Sequence, residues 1–152
     1  MKKLYITLIA SILLISCNSG KGSFVHTVDL NGSVAQNVAK LEKIIKKSGL
    51  VHFYNFDHKK SAKDVNLTLR DTTLVVFGNP YMGTKLIKCN QTMGIDLPLK
   101  MLIYETFEGE TKMSYTNPEY YSSKHNIKDA KCLNIIKKAT IALDAISFEL
   151  KK

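Results

Sequence analysis

Residues 33–49 read SVAQNVAKLEKIIKKSG and predict an amphipathic helix. The lysines fall largely outside the stripe of apolar side chains, which recur at spacings of three and four. This stripe consists of Val34, Val38, Leu41 and Ile45. Ser33 with Gln36 matches the capping-box pattern, and Gly49 is the residue type expected just past a helix end. The segment therefore predicts a helix that packs one side against a core.

Strands are predicted on both sides of this helix. Residues 24–30 place Phe24, His26, Val28 and Leu30 on one side, an alternation typical of a half-buried strand. Residues 50–56 read LVHFYNF and are rich in the β-branched and aromatic residues that strands favour. A short helical turn is predicted at residues 59–65. The first part of the chain thus has the order strand, helix, strand.

The second half of the chain predicts three more strands and another long helix. We predict a buried strand at residues 74–77 that stops at Gly78, and a hairpin of residues 97–107 and 111–115 around a turn at 108–110. Thr84 is predicted to cap a short helix between these strands. The final helix spans about residues 127–150. Its apolar stripe consists of Leu133, Ile136, Ala139, Leu143, Ile146 and Leu150.

The order β-α-β(4)-α predicts an α+β domain. In this class the two long helices cover one face of a mostly antiparallel sheet. The chain has 152 residues, of which 45% are hydrophobic and 23% are charged, which suits one compact domain and excludes a disordered or collagen-like chain.

The first 17 residues predict an export signal rather than part of the fold. Lys2 and Lys3 precede the apolar stretch Leu4–Ile15, which is too short to span a bilayer comfortably. The following Ser16-Cys17 completes a pattern that resembles a bacterial lipobox, in which the cysteine thiol accepts a diacylglyceryl group. The alternative is an ordinary secretory signal with a cysteine nearby by chance. We predict a lipoprotein signal peptide at 1–16, a lipid-anchored tether at 17–23 and one domain at 24–152.

The predicted export changes how the basic charge is interpreted. The formal charge of +9 falls to +7 once Lys2 and Lys3 are removed, and the remaining lysines are spread along the chain. An exported chain does not meet nucleic acid, so we predict no nucleic-acid partner and a cationic surface near anionic lipid head groups. No acidic run follows Cys17. We therefore expect a lipid-anchored protein of the cell envelope that faces the periplasm.

Several motifs in the middle of the chain occur together in a known family. Residues 57–62 read DHKKSA, residues 77–84 read FGNPYMGT, and residues 96–100 read DLPLK. With YTNP at 115–118, this succession resembles the bacterial family called domain of unknown function 302, from about Ser33 to Leu150. The resemblance implies a TATA-binding-protein-like α+β fold and a homodimer, and it implies no reaction. The family usually has Trp-Glu-Asp where this chain has Tyr104-Glu105-Thr106, so its second acid is missing here.

The same motifs supply the candidate ligand-binding residues. These are Asp57, His58, Asn79, Gly83, Thr84, Asp96 and His125. They follow strands or begin helices, where side chains can meet in a cleft and where backbone N–H groups can hold an anion. We expect Asp57, His58, Asn79 and Asp96 on one side of the domain, with His125 as a fifth member. In the competing account each residue serves only its own turn.

Two functional hypotheses follow from these residues. The four histidines share no metal-ligand spacing, and no P-loop or nucleophile-elbow pattern is present, so we predict no metal and no cofactor. The favoured hypothesis is a non-enzymatic module that binds a small ligand or an envelope protein as a dimer. The alternative is a metal-dependent or acid/base enzyme that uses Asp57, His58, Asp96 and His125.

Cys89 and Cys132 remain once Cys17 carries lipid. An oxidising compartment permits a disulfide between them. Cys132 lies beside the apolar stripe of the final helix, however, where a free thiol packs as a small hydrophobic group. The sequence therefore favours free thiols over a bridge.

Overall fold

A computed structural model describes residues 24–152. The predicted signal peptide, Cys17 and the tether lie outside these residues. The elements in chain order are β1 (Val25–Leu30), α1 (Val34–Lys47), β2 (Val51–Asp57), α2 (His58–Asp64), β3 (Thr72–Gly78), α3 (Pro80–Cys89), a 3-10 turn (Gln91–Ile95), β4 (Leu99–Glu105), β5 (Thr111–Thr116), α4 (Tyr120–Lys124) and α5 (Ala130–Lys151). No helix within 24–152 is long and apolar enough to cross a bilayer.

The strands form one antiparallel sheet in the order β1-β5-β4-β3-β2. Strands β4 and β5 form the predicted hairpin, and Gly109 in its turn has a φ of +79°. The first strand returns to the sheet beside β5, and β2 forms the opposite edge. The predicted α+β class with a mostly antiparallel sheet is confirmed.

One face of the sheet and the two long helices make the hydrophobic core. Leu41 and Ile45 of α1 are fully buried, as are Val75 and Phe77 of β3. The buried stripe of α5 joins the same cluster through Ile136, Leu143, Ile146 and Leu150. Every residue of this cluster lies between positions 30 and 150, so a fragment from Asn18 to Lys152 retains the whole core. This fragment is the one used in the experiments below.

The predicted capping box at the start of α1 is present. The Ser33 hydroxyl accepts a hydrogen bond from the Gln36 backbone N–H at 3.3 Å, and the Gln36 side-chain oxygen accepts one from the Ser33 N–H at 2.9 Å. At the other end Gly49 has a φ of +70°, which is the left-handed conformation that glycine adopts without strain. The Lys40 ammonium of α1 also donates a hydrogen bond of 2.8 Å to the Leu150 carbonyl, near the C-terminal end of α5.

Some predicted boundaries are wrong by two or three residues. The final helix begins at Ala130 instead of Ile127, because Asn126 has a φ of +49° and Asp129 caps the helix through the Cys132 N–H at 3.0 Å. Strand β4 begins at Leu99 instead of Leu97, because Pro98 has no N–H to donate to a neighbouring strand. Leu133, placed in the apolar stripe, is 37% exposed.

Cys89 and Cys132 form a disulfide, so the prediction of free thiols is wrong. Cys89 is the last residue of α3, and Cys132 lies in the first turn of α5, with 6.3 Å between their Cα atoms. This separation is within the range that a disulfide needs. Cys132 also lies in the core cluster, as the prediction required. The apolar surroundings of Cys132 therefore did not distinguish a free thiol from a disulfide, because both can be buried there.

Candidate functional site

The seven candidate residues do not form one cluster. Asp57 pairs with Thr73 near the start of β3, whereas Asn79 directly follows Gly78 at the end of the same strand. Thr73 and Asn79 are six residues apart along the strand, which is about 20 Å at roughly 3.3 Å per residue. Asp96 lies toward the Asn79 end, because Leu99 pairs with Phe77. The expectation that all of them share one site is wrong, because β2 and β3 run antiparallel and the ends of these successive strands therefore lie at opposite edges of the sheet.

Asp57 and His58 each serve their own turn, as the competing account describes. The Asp57 carboxylate accepts a hydrogen bond from the Lys60 N–H at 2.9 Å and caps α2. His58 is the first residue of that helix, and its ring meets the edge of the Phe56 ring with 4.8 Å between centroids. Both contacts are local.

Asn79 caps α3, and the prediction that Thr84 does so is wrong. The Asn79 side-chain oxygen accepts from the Met82 N–H at 3.1 Å, and Pro80 occupies the first helical position. Proline suits this position because it has no backbone N–H, and an N–H at the first helical position would have no partner within the helix. Thr84 lies within the helix, one turn farther along.

Asn79, Gly83 and Thr84 line a cavity of about 360 Å³ between α3 and α5. Phe53 and Leu50 close it from the side of β2, and Leu97 and Pro98 close it from the loop before β4. Helix α5 contributes Ile135, Lys138, Ala139 and Ala142 to the lining. The volume is within the range of about 300–1,000 Å³ that small-molecule sites occupy.

Most of the lining of this cavity is apolar. The polar side chains are those of Asn79, Thr84 and Lys138. Two glycines form part of the wall. A methyl group would make only an ordinary contact at either position, with the Leu97 side chain at 3.9 Å from Gly83 and with Phe53 at 3.8 Å from Gly78. The sequence reasoning missed Lys138 and the alanines of α5. Their signal was a row of small residues, Ala139 and Ala142, on the side of a helix next to its core stripe.

Asp96 and His125 do meet, and Asp96 lies directly before Leu97 and Pro98 of the cavity lining. The His125 Nε2 lies 2.5 Å from one Asp96 carboxylate oxygen, and its Nδ1 lies 2.7 Å from the Thr92 hydroxyl. Asn90 supports this arrangement, since its amide N–H donates to the His125 carbonyl at 2.7 Å and its oxygen accepts from the Thr92 hydroxyl at 2.9 Å. The arrangement can hold a proton between a hydroxyl, an imidazole and a carboxylate.

Two lysines, Lys124 and Lys100, donate hydrogen bonds to Asp96 of this network. Burial by itself raises the pKa of Asp96, but hydrogen bonds from Lys124, at 2.9 Å, and from His125 outweigh it and hold that pKa below its ordinary value. Burial lowers the pKa of Lys100, which donates to the Asp96 carbonyl at 2.7 Å. Burial also raises the pKa of Tyr121 to about 12, with the Asp96 charge adding to the effect. Thr92, Asn90 and Lys124 were not predicted as site residues.

The described part of the chain holds no group of three or more histidine, cysteine, aspartate or glutamate side chains placed to bind a metal ion.

Comparisons with known proteins agree with the fold. A family model described as "Domain of unknown function DUF302" matches residues 26–146. A crystal structure titled as an uncharacterized conserved protein DUF302 from Bacillus stearothermophilus superimposes with a TM-score of 0.75 at 21% identity, covering 85% of this chain and 99% of that one.

Curated relatives are longer than this chain. It is 33% identical over 101 residues to proteins named "Fluoride-specific ion channel FluC 1" from Brucella suis and Brucella abortus. The match covers 66% of this chain, but only 40% and 37% of those proteins. The chain thus spans about two fifths of the length of these relatives.

Proposed function

Because the chain belongs to the DUF302 family, we propose from its cavity that it is a non-enzymatic binding module of the cell envelope, held to the membrane by a lipid on Cys17. Its ligand is a small, mainly apolar molecule that fills the space between α3 and α5. One observation carries this proposal: a cavity of about 360 Å³ lined almost wholly by hydrocarbon.

The physical reason is the free energy of removing apolar surface from water. A ligand that covers the hydrocarbon lining gains roughly 25 cal/mol for each Å² of apolar surface that both partners bury. Few polar groups compete for water at this site, since Asn79 is already engaged in capping α3 and Thr84 and Lys138 are the other polar side chains of the lining. The site therefore favours apolar ligands over small hydrated ions.

Thermal unfolding of the Asn18–Lys152 fragment tests the proposal with a ligand panel. The panel contains neutral apolar molecules, metal ions, haem, thiols and small anions. A ligand at 100 times its Kd adds about 2.7 kcal/mol to the free energy of unfolding. We expect only apolar members to raise the melting temperature.

Two variants at one position locate the binding site. Gly83 lines the cavity, and Gly83→Leu adds a side chain that fills part of the space a ligand would occupy, so the ligand-induced shift should disappear. Gly83→Ala leaves most of the cavity open and should keep the shift. If Gly83→Leu binds as well as the wild type, or if no apolar molecule shifts either protein, the proposal is wrong.

The lipid anchor is supported by the sequence of residues 2–17, which combine a positive start, a short apolar stretch and a lipobox-like end. We propose that the domain faces the periplasm from this anchor. A tether of six residues, 18–23, would then separate the lipid from the domain.

We also propose that the module acts as a homodimer formed through β2. This edge strand bears no lysine and no proline, which usually protect exposed sheet edges from pairing. Its side chains include Tyr54 and Phe56, which are 55% and 44% exposed. The same strand of a second copy can pair with it about a two-fold axis.

An acid/base enzyme is the second candidate function, and the Thr92–His125–Asp96 hydrogen bonds are the observation that favours it. Asp57 and His58 lie at the other end of the sheet, so this candidate rests on Asp96 and His125. Hydrolysis of activated esters tests it. Activity that His125→Gln abolishes, while apolar ligands still bind, would favour the enzyme over the binding module.

The curated relatives are named for fluoride, and only 101 residues are shared with them. We propose that the shared part is the binding module and that conduction belongs to the remaining part of those proteins. Fluoride among the small anions of the ligand panel tests this. A fluoride-induced shift that Gly83→Leu does not remove would contradict the proposal.

A further inference from the structure

The charge around the cavity indicates which class of apolar molecule it takes. Lys138 is the only ionisable side chain in the lining, which contains no carboxylate. Lys138 also forms no ion pair with any residue in the described range 24–152. A cation at the edge of a hydrocarbon cavity, without a protein partner, complements a ligand with an apolar body and one negative charge.

A neighbouring hollow is less suited to an anionic head group. It has a volume of about 420 Å³, lies on the other side of Leu50 and Ala142, and includes both Lys47 and Glu149. The Glu149 carboxylate would repel an anion there, and it is itself bound to Lys152 at 2.8 Å. An anionic head is therefore better placed at Lys138, with no acid among the lining residues around it.

The size of the cavity limits the length of the apolar body. At about 30 Å³ for each water-sized group, the cavity of about 360 Å³ leaves room for roughly twelve non-hydrogen atoms. An unbranched chain of that size continues toward Leu50 and Ala142, which border both hollows.

We propose that the ligand is a monoanionic amphiphile, a carboxylate with an apolar tail of about ten atoms, whose head pairs with Lys138. This inference rests on the proposed function. The pair is at the surface, where such an ion pair contributes up to about 1 kcal/mol, which corresponds to roughly a five-fold preference over the neutral analogue.

Competition against a neutral fluorescent probe tests this class. The Asn18–Lys152 fragment is loaded with N-phenyl-1-naphthylamine, and decanoate, decyl phosphate, decanol and decyltrimethylammonium are titrated below their micelle concentrations. We expect decanoate to displace the probe about five times more effectively than decanol, and the cation to be the weakest competitor. The preference for decanoate should shrink at high salt, because salt screens exposed charges.

Matched variants separate Lys138 from the general positive charge of the protein. Lys138→Gln should abolish the preference for decanoate and leave decanol binding unchanged. Lys137→Gln removes the same charge from the adjacent position of α5, outside the lining, and should keep the preference. Circular dichroism is the control that tests whether both variants are folded.

The outcomes distinguish this inference from the proposed function. Equal displacement by decanoate and decanol, or equal losses in the two lysine variants, overturns the anionic class while the apolar binding stands. Stronger displacement by decyl phosphate than by decanoate assigns the site to phosphate head groups and overturns the carboxylate. Failure of the probe and of every competitor to bind overturns both.

Discussion

His125 and Asp96, 29 residues apart in sequence, are joined by a hydrogen bond of 2.5 Å between imidazole Nε2 and carboxylate. The bond connects the end of α4 to the loop before β4. His125 is only 4% exposed, so its second ring nitrogen also needs a partner, and the Thr92 hydroxyl supplies one. Two separate segments, the 3-10 turn that follows Cys89 of the disulfide and the end of α4, are thereby fixed to each other.

Asp96→Asn should lower the free energy of unfolding by about 2 kcal/mol, because hydrogen bonds to charged groups contribute roughly 1.5–3 kcal/mol each. Urea unfolding of the Asn18–Lys152 fragment at neutral pH measures this loss. Asp64→Asn is the control, since Asp64 forms only an exposed pair with Lys60 and its loss should change stability by less than about 0.5 kcal/mol. Equal effects of the two variants would contradict the prediction.

The same carboxylate predicts how stability depends on pH. The pKa of Asp96 in the folded protein lies below its ordinary value of 3.8, so its contribution is fully present above that value. As the pH falls through the folded pKa the contribution is lost, because the unfolded chain binds the proton more readily. We expect the difference in stability between wild type and Asp96→Asn to shrink on acidification from pH 5 toward about pH 2. A constant difference would contradict it.

Loss of the disulfide should destabilise the domain. The bridge joins residues 43 positions apart, and a loop of this length restricts the unfolded chain enough to contribute about 2–4 kcal/mol. We expect reductant to lower the urea midpoint of the wild-type fragment. The double variant Cys89→Ser and Cys132→Ser should start at the lower midpoint and be insensitive to reductant. A wild-type midpoint that reductant does not change would show that the bridge contributes nothing.

Two glycine-to-alanine changes should have opposite effects. Gly83 lies in helix α3, and a methyl group there makes only an ordinary contact with Leu97, so Gly83→Ala should stabilise by about 0.5–1 kcal/mol. Gly32 has a φ of +82°, and a methyl group there would approach the Gln36 side-chain oxygen to 2.7 Å. Gly32→Ala should therefore destabilise by at least about 1 kcal/mol. Thermal unfolding measures both, and the same sign for both would contradict the prediction.

Cys17→Ser should release the protein from the membrane fraction. One acyl chain anchors only marginally, whereas two or three hold firmly, so removal of the acylated residue should have a large effect. Fractionation after a high-salt wash measures the loss, because salt removes protein that is held only by its positive charge. A Cys17→Ser protein that stays with the washed membranes rules out the lipid anchor.

Sedimentation of the Asn18–Lys152 fragment at micromolar concentration should give twice the monomer mass. Tyr54→Lys places a charge on the β2 edge and should give monomers, since lysine prevents edge-to-edge pairing. Ile141→Lys adds the same charge to an exposed position of α5 and should leave the dimer intact. A monomeric wild-type fragment would refute the proposed dimer.

Local patterns in the sequence were sufficient for most of the fold. The Ser33–Gln36 capping box, Gly49 and the stripe through Leu41 and Ile45 predict α1 within a residue, because each signal acts within one or two turns. The alternation in β1 and the turn at Gly109 likewise depend on neighbours in sequence. The predicted start of α5 was wrong because Asn126 has a positive φ, which the apolar pattern of the helix does not reveal.

The grouping of the candidate residues depended on tertiary structure. Asp57 and Asn79 lie at opposite ends of the β3 strand, while Asp96 meets a histidine 29 residues away, and nothing in the spacing of these residues distinguishes the two cases. The disulfide and the cavity lined by Lys138 also depend on tertiary structure, because both form where α3 packs against α5, which is distant from it in sequence. Contacts of this kind depend on how the elements pack. The sequence by itself specifies the elements, through interactions that span only a few residues.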